Sequence, residues 1–337
     1  MGIKKEVMEN EWIDSLTQED FYNGYDMSEK DRTYDLNFGN SLRDKLRDFY
    51  DLLFRRTLYQ VIYKNYFKQL PHEYNYALPS KGFSSKARIK WLNKYKKIKG
   101  SKVLNVGVGN GFDIPIWLRY SPREFTGNDI LKYGDSHEIV MRESKAISDT
   151  KINLYQKDIL DLEVDEVGTF DIIASEAVFE HCRDMEKVAY KCFDLLKPNG
   201  MMYASYGGPL WYTYGGDHFS GRDNPKNGFN HLLLGKKEYW DYVKANVELT
   251  VDSELKAGAG GILVKLDLFS KLSSNEYLEI FKRVGFRVKK LILESCPIAA
   301  ELIKDKKIRD ALLEKYPNLH EDDFKCKTHI ILLEKKA

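Results

Sequence analysis

The spacing of apolar positions changes near residue 100 and separates two kinds of predicted structure. Before that point, apolar residues recur at helical spacing from Ser41 to about Leu70, where Pro71 ends the pattern. This predicts one long amphipathic helix, or two in series. After that point, short apolar runs alternate with helical patterns, which is typical of a parallel sheet with helices on both faces. Residues 1–40 are polar and weakly periodic and are predicted to form a loose arm with short helices. The long helix could pack on the following domain or mediate a homodimer, and the sequence leaves both open.

Seven strands are predicted in the alternating region. They are 103–106, 124–129, 152–155, 170–174, 201–205, 286–293 and 328–334. Helices are predicted at 112–120, between the fourth and fifth strands, and at about 299–314. A capping box formed by Ser273 and Glu276 begins another helix, which ends at Gly285.

The long segment 206–272 is rich in glycine, aromatic residues and histidine and lies outside the sheet pattern. A segment this long is more often a lid or substrate subdomain than a bare loop. We therefore predict an N-terminal helical extension at 1–84 and a catalytic domain at 85–337, with 206–272 as an inserted substrate or lid segment.

Composition and charge limit the kinds of partner that the sequence predicts. The formal net charge is only +2, which gives no overall attraction to nucleic acid. The basic stretch 81–99 is therefore interpreted as a solvated helix face, with an anionic partner such as RNA as the alternative. The four scattered cysteines form no C-x-x-C pair, so no metal site is predicted. With no signal peptide and no apolar run of membrane-spanning length, a cytoplasmic location is expected.

The sharpest motif is a strand that runs into three closely spaced glycines, Gly107, Gly109 and Gly111, before a helix. Without Cβ atoms the backbone can turn tightly and approach a ligand, and the helix N-terminus offers free N–H groups. The dinucleotide fingerprint G-x-G-x-x-G would require glycine at position 112, which is phenylalanine here. The spacing therefore argues against a nicotinamide dinucleotide.

Two acids follow this loop at informative positions. Asp129 ends the second strand, where a carboxylate can accept hydrogen bonds from ribose hydroxyls. Asp158 follows the third strand, where a carboxylate can meet an adenine amino group. Together with the glycine loop, the two acids favour a nucleoside ligand.

At this point the chain resembles the class I S-adenosylmethionine-dependent methyltransferases. The resemblance runs from roughly Ser85 to the C-terminus and rests on several motifs in order: VLNVGVGNG at 103–111, FTGND at 125–129, FDII at 170–173, EH at 180–181, LLKPNG at 195–200 and VGF at 284–286. It implies an α/β, Rossmann-like, doubly wound and mostly parallel sheet of seven strands. The last strand would be antiparallel and would lie beside the sixth.

The resemblance also implies S-adenosyl-L-methionine as cofactor. The three glycines would bracket its methionine part, Asp129 would hold the ribose, and Asp158 with Ile159 would frame the adenine. Asn105 departs from the acid that the family often carries there. The implied cofactor-binding set is Asn105, Gly107, Gly109, Gly111, Asp129, Asp158, Ile159 and Ser175.

The candidate catalytic residues are histidines near the expected substrate entrance, since histidine can accept a proton near neutral pH. His218, beside Asp217 in a glycine-rich part of the insertion, and His181 after the fourth strand are the two main candidates, and His231 is a weaker third. The run 205–211 is similar to methyltransferases found with bacterial surface-polysaccharide enzymes and favours O-methylation of a sugar or glycan. An RNA methyltransferase and a non-catalytic cofactor-binding module are the alternatives.

Overall fold

The computed structural model describes residues 42–50, 75–79, 85–111, 113–131, 136–207, 210–213, 225–245, 269–295 and 297–337. Within these residues, eight strands form one sheet. The strands are β1 (Asn75–Pro79), β2 (Lys102–Val106), β3 (Glu124–Asp129), β4 (Lys151–Gln156), β5 (Phe170–Glu176), β6 (Leu196–Gly207), β7 (Phe286–Ser295) and β8 (Cys326–Lys335).

The strand order is β1-β7-β8-β6-β5-β2-β3-β4. Strand β8 is antiparallel to both β6 and β7, and the other neighbouring pairs are parallel. The seven strands β2–β8 therefore confirm the predicted Rossmann-like sheet. Strand β1, which the sequence analysis did not predict, adds an eighth strand parallel to β7. It comes from the segment assigned to the N-terminal extension, and the division into domains stays a prediction.

The described helices are α1 (Leu42–Tyr50), α2 (Ser85–Leu92), α3 (Ile114–Leu118), α4 (Ser136–Ser144), α5 (Val164–Val167), α6 (Met185–Leu195), α7 (Asn230–Leu233), α8 (Lys236–Ala245), α9 (Ser274–Val284), α10 (Pro297–Lys304) and α11 (Lys306–Lys315). The capping box of Ser273 and Glu276 is present at the start of α9. The single helix expected at 299–314 is two helices. Asp305 separates them, because its side chain accepts a hydrogen bond from the Lys307 N–H and caps α11. Beyond Tyr50, the predicted long helix lies outside the described residues. No helix in the described ranges is both long and apolar enough to cross a membrane.

The sheet is covered on both faces. Helices α6 and α9 pack on one face around Leu104, Ile173 and Tyr206. Helices α2 and α3 pack on the opposite face around Val103 and Tyr203. Because side chains alternate along each strand, successive residues of β5 and β6 serve opposite cores. This alternation decides which side chains face each other at the strand ends.

A third hydrophobic cluster joins the described parts of 206–272 to the C-terminal helices. Leu210, Trp211 and Phe229 pack there with residues of α10, α11 and the segment before β8. The Trp211 Nε1–H donates a hydrogen bond to the Leu272 carbonyl at 3.0 Å, and the Trp211 ring meets Tyr316 edge-on at 5.2 Å. These ends of the insertion are therefore anchored to the domain, and a lid role for the rest stays a prediction.

Candidate cofactor and acceptor site

The loop after β2 has the backbone that its glycines predict. Gly107, Gly109 and Gly111 have φ values of +70°, +57° and +86°, in the left-handed region that side chains rarely adopt. At Gly107 a Cβ atom would lie 2.1 Å from the Val178 Cγ2 atom. Val178 follows β5, so the absence of a side chain at 107 lets the two loops touch. The bend therefore requires glycine for both its backbone angle and its packing.

The neighbouring strand β3 fixes the position of this loop. The Asn128 carbonyl accepts hydrogen bonds from the Gly107 N–H at 2.8 Å and the Val108 N–H at 3.0 Å. A Cβ at Gly127 would lie 2.9 Å from the Val108 Cβ, so glycine there permits the close approach. The loop is consequently held by backbone contacts to the strand that also carries Asp129.

Asp129 lies directly beside the bend, as predicted for a ribose-binding acid. Its Oδ2 accepts from the Gly109 N–H and its Oδ1 from the Leu131 N–H, both at 2.9 Å. The residue is only 8% exposed, and burial raises the pKa of its carboxyl group, while the Leu131 and Gly109 N–H groups act in the opposite direction. On the other side of the loop, His137 Nε2 lies 2.7 Å from the Gly109 carbonyl oxygen. The sequence analysis missed His137, whose proximity to the loop depends on helix α4.

Asp158 caps a short turn. Its Oδ1 accepts from the Leu160 N–H at 2.9 Å at the start of the 3₁₀ helix Ile159–Asp161, and its side chain is exposed while Ile159 is buried. The turn is tied to β3 because the Asn128 Nδ2–H donates to the Lys157 carbonyl at 3.2 Å. Asp158 thus follows the strand next to Asp129, and its contact with adenine stays a prediction.

Asn105 and Ser175 are buried on the two central strands. Asn105 pairs with Gly127 on β3 and Ala174 on β5, and Ser175 pairs with Val106. The Ser175 Oγ is buried and has no hydrogen-bond partner among the described residues. Because Ser175 pairs with Val106, it lies beside the residue that precedes Gly107. A buried hydroxyl without a partner beside a left-handed glycine bend fits a polar ligand. The residues present therefore fit an adenosyl sulfonium, with the glycines and Asp129 holding it.

The candidate bases are placed very differently. His181 is half-buried in the turn after β5 and lies against the Phe269 ring, with the ring centroids 5.1 Å apart. His231 is buried in the third cluster, where its Nε2 lies 2.8 Å from the Leu210 carbonyl oxygen and burial lowers its pKa to about 4. That environment fits a structural role for His231, and its role as a base stays a prediction. Asp217 and His218 lie outside the described residues, and their role stays a prediction.

Beside His181, Glu180 is buried, and burial raises the pKa of its carboxyl group to about 8. Its Oε2 has no partner among the described residues. The Glu180 carbonyl accepts from the Ser270 N–H at 2.7 Å, which connects the turn after β5 to the returning end of 206–272. Desolvation of a carboxyl group at this depth favours its neutral form.

A half-buried ion pair at the end of β5 was missed by the sequence analysis. Arg88 Nη1 donates to Glu176 Oε2 at 3.1 Å and to Ser205 Oγ at 2.8 Å, and the Tyr203 hydroxyl donates to Glu176 Oε1 at 2.9 Å. Burial acts to lower the pKa of Arg88, but Tyr203, Glu176 and Glu294 outweigh it and raise the pKa. The interpretation of 81–99 as a solvated face is therefore wrong at Arg88. The sequence signal for the position of Arg88 was its place in a helix with apolar residues. Its neighbour Ile89 is buried in the structure.

Known proteins resemble this chain over its central part. Residues 104–204 match the family described as "Methyltransferase domain". The ubiquinone biosynthesis O-methyltransferase of Azotobacter vinelandii is 26% identical over 118 residues, which cover 35% of this chain and 49% of that protein. The protein of the same name from Vibrio campbellii is 30% identical over 114 residues, covering 34% and 47%. The chain therefore spans about half the length of these curated relatives.

Among solved structures, an S-adenosylmethionine-dependent methyltransferase from Mesorhizobium loti is 16% identical, with a TM-score of 0.43. The match covers 74% of this chain and 98% of that one. The matched segment 104–204 begins within β2 and ends within β6, so it contains the glycine bend, Asp129 and the end of β5. Over residues 104–204 the chain thus resembles a methyltransferase domain.

Proposed function

We propose that this chain transfers the methyl group of S-adenosylmethionine to a hydroxyl group of a small molecule. The observation that carries the proposal is the contact between Asp129 and Gly109, which places a buried carboxylate beside a side-chain-free bend. Bound there, the cofactor would supply an activated methyl group. The residues of the chain bind and orient it, and much of the rate enhancement in such a displacement comes from alignment of the reactants.

The hydroxyl acceptor is supported by the O-methyltransferase relatives and by the polar groups at the strand edge. Substrates of open α/β sheets bind outside the carboxyl ends of the strands, where the strand order reverses. Here that point lies between β2 and β5, and it is flanked by Glu176 and by the turn that carries Glu180. Carboxyl groups suit a neutral acceptor that donates a hydrogen bond.

The narrower prediction of a sugar or glycan acceptor has less support. It came from the run 205–211, in which Ser205 accepts a hydrogen bond from Arg88, and Tyr206 and Trp211 are buried in two different hydrophobic clusters. Side chains packed in this way do not offer a platform for a sugar ring. The RNA alternative loses Arg88 from its basic surface for a similar reason, since that guanidinium is paired inside the domain.

Radiolabelled S-adenosylmethionine tests the proposal directly. The full chain is incubated with the labelled donor and, separately, with catechol, a nucleotide sugar and a short single-stranded RNA, and labelled product is counted. We expect label in a hydroxyl-bearing small molecule, at a rate insensitive to moderate salt. Label in the RNA alone, suppressed by salt, would establish the alternative. Cofactor binding with no label in any acceptor would favour the non-catalytic module.

A further inference from the structure

The end of strand β5 brings a carboxylate to the rim of the glycine bend. Ser175 pairs with Val106, the residue before Gly107, and Glu176 is the next residue and the last of β5. Strands β3 and β5 flank β2 on opposite sides, so this rim is the point where the strand order reverses. A side chain on Glu176 therefore stands where a methyl acceptor must meet the donor.

The carboxylate of Glu176 is oriented from two directions. Arg88 reaches one oxygen from α2, at 3.1 Å, and Tyr203 reaches the other from β6, at 2.9 Å. Glu294 on β7 also acts on Arg88, so the guanidinium is shared between carboxylates and Ser205. The Glu176 side chain remains 21% exposed, against 14% for Arg88. Solvent therefore reaches the pair mainly through the Glu176 side chain.

We propose that Glu176 is the catalytic residue that accepts the proton of the acceptor hydroxyl, and that Arg88 is its positioning residue. This rests on the proposed function. The acceptor O–H proton passes to the Glu176 carboxylate as the oxygen forms its bond to the methyl carbon. The bond between methyl carbon and sulfur breaks, its electron pair stays on sulfur, and the sulfonium charge is neutralised. The proton then leaves Glu176 for solvent through its exposed side.

The pairing with Glu176 also holds helix α2 against the sheet. Arg88 and Glu176 are 88 residues apart in the chain, and their pairing fastens α2 over the carboxyl ends of β5 and β6. A carboxylate held on both oxygens keeps one direction, which a proton acceptor needs in order to meet the hydroxyl within hydrogen-bonding distance. Replacing Arg88 should therefore act through the orientation of Glu176 and leave cofactor binding unchanged.

The test compares Glu176→Gln with Glu124→Gln, using the hydroxyl acceptor that the wild-type chain methylates fastest in the labelled screen. Glu124 is a matched control because it is also a half-buried, ion-paired strand residue, 3.5 Å from Lys102 Nζ, at the amino end of β3. Glu176→Gln should lower kcat by about 100-fold or more, in the range that general-base catalysis contributes. Its affinity for S-adenosylhomocysteine, measured by calorimetry, should stay that of the wild type.

Three further variants separate catalysis from folding. Glu176→Asp keeps the charge and should retain measurable turnover at reduced kcat. Arg88→Met should lower kcat, and Arg88→Lys should recover most of it, with equal affinity for S-adenosylhomocysteine in both. If Glu176→Gln turns over like Glu124→Gln, or if only His218→Asn abolishes turnover, the assignment to Glu176 is overturned. If the wild type methylates no hydroxyl acceptor, the proposed function itself has failed and the inference falls with it.

Discussion

Gly107 and Val178 occupy adjoining space so closely that a Cβ at position 107 would lie 2.1 Å from Val178 Cγ2. Gly107 begins the turn after β2 and Val178 lies in the turn after β5, and the strand order reverses between these two strands. Their contact holds the two turns against each other. A change at either residue therefore tests how the bend is built.

Gly107→Ala should destabilise the fold more than Gly100→Ala. Both glycines have positive φ, +70° and +76°, but a Cβ at Gly100 would meet nothing within 4 Å. The left-handed backbone alone costs an alanine about 1 kcal/mol, and overpacking adds about 1–3 kcal/mol at Gly107 only. Urea unfolding measures the difference. The double variant Gly107→Ala with Val178→Ala should recover part of the overpacking cost, and equal losses for the two single variants would contradict the packing role.

Asp129→Asn should weaken binding of S-adenosylhomocysteine by about 10- to 100-fold, since losing hydrogen bonds to a charged group costs about 1.5–3 kcal/mol. The reason is that the carboxylate accepts the hydrogen bond of the Gly109 N–H in the glycine bend, where we propose that it holds the cofactor. Calorimetry provides the affinity, and Asp149→Asn, at an exposed carboxylate away from the loop, is the control. Unchanged affinity in Asp129→Asn would remove this residue from the site.

His231→Gln should change how the free energy of unfolding depends on pH. Burial lowers the pKa of folded His231 to about 4, while the unfolded chain takes up a proton near 6.5. The unfolded state thus binds more protons between these values, so this residue lowers the free energy of unfolding as pH falls from 6.5 toward 4. The slope is about 1.4 kcal/mol per pH unit. Urea unfolding from pH 8 to pH 4 should show the wild type losing stability faster than the variant, and parallel curves would speak against burial of a neutral His231.

Glu180→Gln should change the pH dependence of the free energy of unfolding in the opposite direction. Burial raises the pKa of folded Glu180 to about 8 from the ordinary value of 4.5, so the folded state holds a proton that the unfolded state has released. Wild-type stability therefore falls as pH rises from 4.5 to 8, and the variant lacks this loss. In that window, the free energy of unfolding of Glu180→Gln should rise relative to that of the wild type by about 1.4 kcal/mol per pH unit. A difference that stays constant with pH would show that Glu180 is ionised in the folded protein.

The elements that the sequence predicted well are those fixed by local pattern. Strands β2 and β3, the glycine bend and Asp129 lie within one strand–turn–helix–strand unit, and the side chains that shape it are near neighbours in the chain. The helix at 299–314 was predicted as one because its apolar spacing continues through Asp305, whose capping bond to Lys307 starts a new helix. Apolar periodicity does not reveal this cap, because the Asp305 side chain binds a backbone N–H group without changing the spacing of the apolar residues.

Apolar periodicity predicted the strands of the sheet, and three glycines with an acid at the end of the next strand indicated a nucleoside ligand, because each signal depends on residues close together in sequence. The kind of methyl donor was implied by the resemblance to methyltransferases. The tertiary structure alone decided that Arg88 is buried against Glu176, that Val178 closes on Gly107, and that Trp211 belongs to a core. These contacts join residues far apart in the chain, and burial of a charge or an aromatic ring there depends on which faces the fold brings together.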